Sequence, residues 1–174
     1  MTKIVRSSLA LSLLLGLGCA QNGSINFNDV VSIPKGDGAG TALSGDFQSI
    51  FKVTSDGCAQ VAALKIPLVG GDPKPLPLTL AQDGGSITFT PQDDTILPVL
   101  RGAITFKNAF DVGGAEIIGV DGEGNILRLI HVTGSFTSQN QFAGSGSERF
   151  MGKIGTEDVD CTFSFDITDG VRNG

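Results

Sequence analysis

Val159-Asp160-Cys161-Thr162-Phe163-Ser164-Phe165-Asp166-Ile167-Thr168 alternates one apolar with one polar residue over ten positions. Successive side chains of an extended chain point to opposite faces, so Val159, Cys161, Phe163, Phe165 and Ile167 share one face and the polar residues share the other. A helix would scatter both sets around its circumference. The stretch therefore predicts a half-buried antiparallel strand with Cys161 turned into the core.

The same period recurs upstream. Leu100, Gly102, Ile104 and Phe106 alternate with Arg101, Ala103, Thr105 and Lys107, and Ile87 and Phe89 alternate with Ser86, Thr88 and Thr90. Further strands are expected near Phe47 to Val53, Cys58 to Ile66, Ala115 to Val120, Asn125 to Phe136 and Gln139 to Phe150, with one more near Ile25 to Ile33. Turn signals separate them: Asp56-Gly57, Asp83-Gly84-Gly85, Gly113-Gly114, Asp121-Gly122 and Asp169-Gly170. Their uneven spacing speaks against a solenoid or propeller repeat. The best helical stretch, Asp94 to Leu100, is interrupted by Pro98. These features predict an all-β fold, a single antiparallel β-barrel of about eight to nine strands, with a two-sheet sandwich as the alternative. Lys65 to Leu80 carries Pro67, Pro73, Pro75 and Pro77, and is expected to be an extended crossover or edge segment, folded over one end of the barrel.

The start of the chain has a different logic. Lys3 and Arg6 precede an apolar run from Leu9 to Leu17 that closes in Gly16-Leu17-Gly18-Cys19-Ala20. A charged start, an apolar stretch too short to span a bilayer and a small-residue exit make an export signal. The expected organisation is a signal peptide over residues 1–18, a short anchor or linker over 19–26 and a barrel domain over 27–170. Cys19, preceded by Gly18, resembles the lipidated cysteine of bacterial lipoproteins. That resemblance implies an acylated first residue and, with Ala20 next to it and no inner-membrane retention signal, an outer-membrane anchor. Ordinary secretory cleavage after Ala20, leaving a soluble periplasmic or secreted domain, is the competing reading.

Cysteine parity follows from this. Setting Cys19 aside leaves Cys58 and Cys161, which in an exported domain are most simply a disulfide; two buried free thiols are the alternative. Neither sits in a C-x-x-C pair and the one histidine, His131, is remote in sequence, so no metal site and no cofactor are expected.

Charge and composition limit the partners. Without the first twenty residues the chain holds 10 basic and 18 acidic residues, a net −8. Such a domain repels phosphate, so nucleic acid and anionic lipid surfaces are poor partners for it, no nucleic-acid partner is expected, and any membrane attachment must come from lipid. There is no Trp and no Tyr, which argues against a lectin, against a tight hot-spot interface and against the aromatic girdles of a transmembrane barrel. The 11 phenylalanines are then mostly core.

Catalytic chemistry is not expected. His131, within Leu129-Ile130-His131-Val132-Thr133, reads as a barrel-mouth or partly buried structural residue. Asp93-Asp94 reads as a solvated loop or an N-cap. Asp121-Gly122-Glu123-Gly124-Asn125 places oxygen ligands at alternate positions as a calcium loop does, but lacks the rest of that pattern and reads as a hairpin turn.

Gly45-Asp46-Phe47, Asp56-Gly57-Cys58, Gly134-Ser135-Phe136-Thr137-Ser138, Gly144-Ser145-Gly146 and Asp160-Cys161-Thr162 together resemble small bacterial exported β-barrels of the lipocalin-like or avidin-like type. Gly45 matches the glycine of the lipocalin first-strand signature, with Phe47 in its tryptophan place. The resemblance implies a barrel and raises two functions. One is a lipid-anchored envelope module, structural or protein-binding, whose interior is filled by its own side chains; the other is a carrier holding a small apolar ligand inside. The first is preferred, because the sequence offers no convergent polar group that would orient a ligand.

Overall fold

The computed structural model describes residues 28, 33, 35–59, 61, 72–93, 95–120 and 124–174. Among the described residues nine strands follow one another: β1 (Gly45–Asp56), β2 (Lys74–Pro75), β3 (Leu78–Asp83), β4 (Ser86–Pro91), β5 (Leu100–Ile104), β6 (Ala109–Val120), β7 (Gly124–Ser138), β8 (Gln141–Ile154) and β9 (Glu157–Arg172). They form a single antiparallel sheet in the order β2-β1-β3-β4-β5-β6-β7-β8-β9, and β1 also pairs with β9. The ring of hydrogen bonds therefore closes through β1. Its start, Gly45 to Phe47, pairs with β3, while Phe47 to Asp56 pair with β9. Closure of this kind leaves the long strands without a free edge, which gives the expected barrel-like architecture in preference to two stacked sheets.

The wall is lopsided. β6 to β9 run for 12, 15, 14 and 16 residues, whereas β3, β4 and β5 have only 6, 6 and 5. β5 reaches only Phe110 to Gly113 of β6. Beyond Gly113 the interior is closed by irregular chain, where Leu97 is 0 % exposed and Ile96 and Val61 pack on the same core.

Strand parity holds where the alternation is clear. Val159, Cys161, Phe163, Phe165 and Ile167 are all buried, and their register partners on β8, from Gly152 to Gly144, lie on the same inner face. Phe47, Phe89, Phe110, Phe136 and Phe142 gather at one end with ring centroids 5.0–6.1 Å apart. Glycines on the inner face make room for this. A Cβ on Gly134 would stand 2.4 Å from the Phe110 ring, and one on Gly146 would stand 2.8 Å from Phe165. Part of the high glycine content thus serves close approach of rings to backbone.

Some expectations are corrected. Cys58 is not in a strand: the Asp56 carboxylate accepts the Cys58 N–H at 2.8 Å and Gly57 N–H donates to Thr162, turning the chain out of β1. Residues 62–71, the rest of that expected strand and the start of the proline-rich stretch, lie outside the described residues, as does most of Ile25 to Ile33. The end of the proline-rich stretch takes the edge alternative of that expectation, since β2 stands outermost in the strand order. Lys74 and Pro75 pair with Phe51 and Ile50, Leu76 exchanges both backbone bonds with Ser49, and Leu78 opens β3. Prolines at alternate positions leave the intervening N–H groups free to bond on one side, which is why this edge tolerates them. The strand expected over Leu100 to Lys107 stops at Ile104, because Asn108 takes φ +60° and closes a turn. Among the described residues 95–100 there is no helix, in line with the interruption at Pro98. The Asp93 carboxylate accepts the Thr95 N–H at 3.0 Å, a turn that leads the chain directly into Leu97 and β5.

Candidate functional site

The inner face carries one concentration of chemistry that the sequence reading missed. Glu116 on β6 and Arg128 on β7 are direct register partners, and Glu148 on β8 faces Ile130 one row away. All three point inward. Arg128 uses each of its nitrogens separately: Nε donates to Glu148 Oε1, Nη1 to Glu116 Oε1 at 2.7 Å and Nη2 to the Ile96 carbonyl at 2.6 Å. The last bond ties irregular chain to the end of the sheet. The expectation of no convergent polar group is thereby overturned. Three charged residues spaced over positions 116, 128 and 148 converge only because β6, β7 and β8 are adjacent and in this register.

Electrostatics at this end are unequal. Glu148 is 0 % exposed, and burial pushes its carboxyl up to about 7, against the lowering effect of Arg128 and with Glu116 adding to the rise. Burial works to lower the Arg128 pKa, but the two glutamates outweigh it and the net direction is upward. Among the described residues, Glu148 Oε2 and Asp56 Oδ2 are buried with no hydrogen-bond partner. A buried carboxylate oxygen left unpaired is costly, and a proton on Glu148 lowers that cost, so desolvation dominates here. Phe150, in register with Arg128, also puts its ring 6.0 Å from the guanidinium carbon.

Cys58 and Cys161 form a disulfide with Cα atoms 5.1 Å apart, closing the loop at this same end. Cys161 is the register partner of Phe150, so the bond lies in the row that holds Arg128 and Glu116. Cys19 lies outside the described residues, and so do the 121–123 turn residues and Asp94. The flanking residues of that turn, Val120 and Gly124, pair directly, as a hairpin requires.

His131 stands on the outer wall. Its Nε2 is 2.6 Å from Asp111 Oδ1, Ser147 is its register partner on β8, and the ring lines an open groove of about 330 Å³ with Thr54, Thr133, Ser145, Ser164 and Asp166. An imidazole and a carboxylate at this distance can exchange a proton, but stabilising an oxyanion needs convergent N–H groups. Here the backbone N–H groups belong to the β7–β8 and β8–β9 ladders. The sequence placed His131 on a strand; its Asp111 partner, twenty residues away, follows from the β6–β7 register.

Arg172 closes the opposite end. It donates to the carbonyls of Ser44, Ala42 and Gln139 and sets its guanidinium carbon 5.1 Å from the Phe47 ring. Arg172 is the last residue of β9. Among the described residues no group of three or more His, Cys, Asp or Glu is placed to hold a metal ion.

No protein-family model, no curated protein and no solved structure matches this chain.

Proposed function

We propose that this protein is a lipid-anchored β-domain of the bacterial cell envelope, held at the outer membrane through Cys19, and that it acts as a structural or protein-interaction module rather than as an enzyme. The observation that carries this reading is the packed interior. A carrier of an apolar ligand needs an internal cavity of hundreds of Å³. Here Phe47, Phe89, Phe110, Phe136 and Phe142 interlock at one end, and Phe51, Phe165, Phe163 and Phe150 continue as a chain of rings with centroids 4.5–6.1 Å apart toward the other. Binding is then left to the outer wall and the ends. The net negative charge keeps nucleic acid off those surfaces.

The test is fractionation of cells expressing the full chain and its Cys19→Ser variant, followed by intact mass without reduction. The proposal expects the native chain in the outer-membrane fraction, starting at Cys19 with added acyl mass, and the variant released. A soluble native chain starting at Gln21 would overturn the anchor. Saturable uptake of a fatty-acid probe by the purified domain, abolished by filling substitutions in the core, would replace the module reading with the ligand carrier.

A further inference from the structure

Thr88 on β4, Arg101 on β5 and Gly113 on β6 stand in one cross-strand row. The row belongs to the outer face, because Ile87, Leu100 and Val112, the residues of opposite parity, are buried in the core. It lies in an open groove of about 620 Å³ that Ser86 and Lys35 also line. Gly113 contributes no side chain, so the floor stays open between Arg101 and β6.

The cations of this groove have no partner in the protein. The other described arginines are engaged: Arg128 with Glu116, Glu148 and the Ile96 carbonyl, Arg149 with Asp160, and Arg172 with the carbonyls of Ser44, Ala42 and Gln139. Among the described residues Arg101 donates to no acceptor, and neither Arg101 nor Lys35 has a carboxylate within ion-pair distance. Two carboxylates stand close by register. Asp83 is the partner of Ser86, and Asp111 is the partner of Ala103, the next outward residue of β5. Neither lines the groove, and Asp111 is turned to His131 at 2.6 Å. Two cations and no anion thus face one groove of a chain whose net charge is −6.

The chemistry of the lining selects a ligand. A guanidinium with free N–H groups matches a carboxylate, which accepts two parallel bonds from it. The hydroxyls of Ser86 and Thr88 offer further donors, and Val99 and Ala115 offer apolar contact beside them. In physiological salt charges are screened over about 8 Å. A ligand with one or two negative charges therefore meets mainly Lys35 and Arg101, while a long polyanion extends beyond them onto a repelling surface. Because the groove is open, it would leave much of a small free acid in water; a peptide adds backbone and side-chain contacts around the anchoring carboxylate.

We propose that this groove binds an extended acidic segment of a partner protein, with a glutamate or aspartate carboxylate held by Arg101 and Lys35 and a neighbouring apolar side chain set against Val99 and Ala115. It rests on the interaction-module reading above and gives that module a partner chemistry.

The chain has no Trp and no Tyr, so a tryptophan in a probe peptide reports alone. The probe is a short, terminally blocked peptide that alternates valine with glutamate and carries one tryptophan, titrated with the mature chain made soluble by Cys19→Ser. Saturable binding by fluorescence anisotropy is expected. It should weaken about tenfold or more with Arg101→Gln and several-fold with Lys35→Gln, the loss expected for charge-assisted bonds. Lys153→Gln removes the same charge outside the groove, where Lys153 faces Asp158, and should leave binding unchanged. Arg101 and Lys35 are exposed, so these substitutions leave the fold intact, which far-ultraviolet circular dichroism checks. No saturable binding would overturn the proposal, as would equal affinity for the counterpart peptide with glutamine in place of glutamate. Equal losses from Arg101→Gln and Lys153→Gln would reduce the effect to net charge and overturn it too. Displacement of the probe by inorganic phosphate at lower concentration than by unlabelled peptide would assign the groove to phosphate instead. The readout uses a soluble chain and its outer wall, so it stands apart from the fate of the anchor and from fatty-acid uptake in the interior.

Discussion

The two ends of the interior solve the same packing problem with opposite chemistry. At one end Phe142 contacts the rings of Phe47, Phe89, Phe110 and Phe136, and a glycine on each neighbouring strand lets them approach. At the other, Arg128 is held between Glu116 and Glu148 in a row that also contains the disulfide cysteine Cys161. Apolar rings are stabilised by removal from water whatever the pH; a buried ion pair must recover a desolvation penalty from geometry, and here one glutamate oxygen stays unpaired. The difference teaches that the aromatic end supplies stability while the charged end makes it conditional. The short strands β3 to β5 line the aromatic end, and irregular chain fills in at the charged one, where the Ile96 carbonyl is fixed by Arg128.

The sharpest way to break this comparison is to damage each end separately. Phe142→Ala should cost about 3–5 kcal/mol, because four ring contacts are lost and the cavity cannot collapse. Arg128→Met should cost a similar amount, about 3–5 kcal/mol, near pH 8, where Glu148 without its partner must either stay charged or take up a proton against the pH, and less near pH 5, where it is protonated. Urea denaturation at both pH values decides the matter: a pH-independent Arg128→Met loss would show that the triad is not electrostatic.

Next in size is the covalent tie. The bridge spans a sequence separation of 103, and Cys161→Ser should lower stability by about 2–4 kcal/mol in oxidising buffer. Adding Cys58→Ser should then change little, and full additivity of the two in denaturant melts would argue that the bond does not form in solution.

Smaller still is the pH slope from Glu148. Its folded-state pKa is raised above the ordinary carboxyl value of 4.5 to about 7. The folded state therefore binds its proton more tightly than the unfolded chain, and the associated stability is fully present below about 4.5 and lost as pH rises to about 7. Glu148→Gln should flatten stability against pH across that window, and an unchanged slope would remove Glu148 as its source. Asp160, whose pKa Arg149 lowers through its hydrogen bonds, acts in a separate window below 3.8. At the bottom of the scale, Thr162→Ala on the outer face of β9 should stay within about 0.5 kcal/mol of the native chain; a loss approaching that of Phe142→Ala would overturn the inner and outer assignment.

Much of the wall was legible before any coordinates. β9 and β4 could be read because each buries one face only, so burial writes a period of two into the sequence. Three glycines and an arginine obscured the same signal on β7 and β8, where inward positions are Gly134, Gly144, Gly146 and Arg128 instead of large apolar residues. β3 was hidden by its proline-rich approach, since Pro73, Pro75 and Pro77 suppress a strand reading although β1 needs only the N–H groups between them. Of the chemistry, the cysteine pair was visible from parity alone. Asp111 beside His131 and Glu116 and Glu148 around Arg128 were not, because each partnership crosses strands and depends on register.

The sequence by itself determined the all-β class, the inward face of β9, the expectation that Cys58 pairs with Cys161 and the net negative charge, because these follow from local alternation, composition and counting. Only the tertiary structure decided that β1 pairs with both β3 and β9 to close the ring and that Arg128 is surrounded by carboxylates. Those features depend on which strands are neighbours and in what register, and a one-residue slip would turn Arg128 to the outside while leaving the composition unchanged.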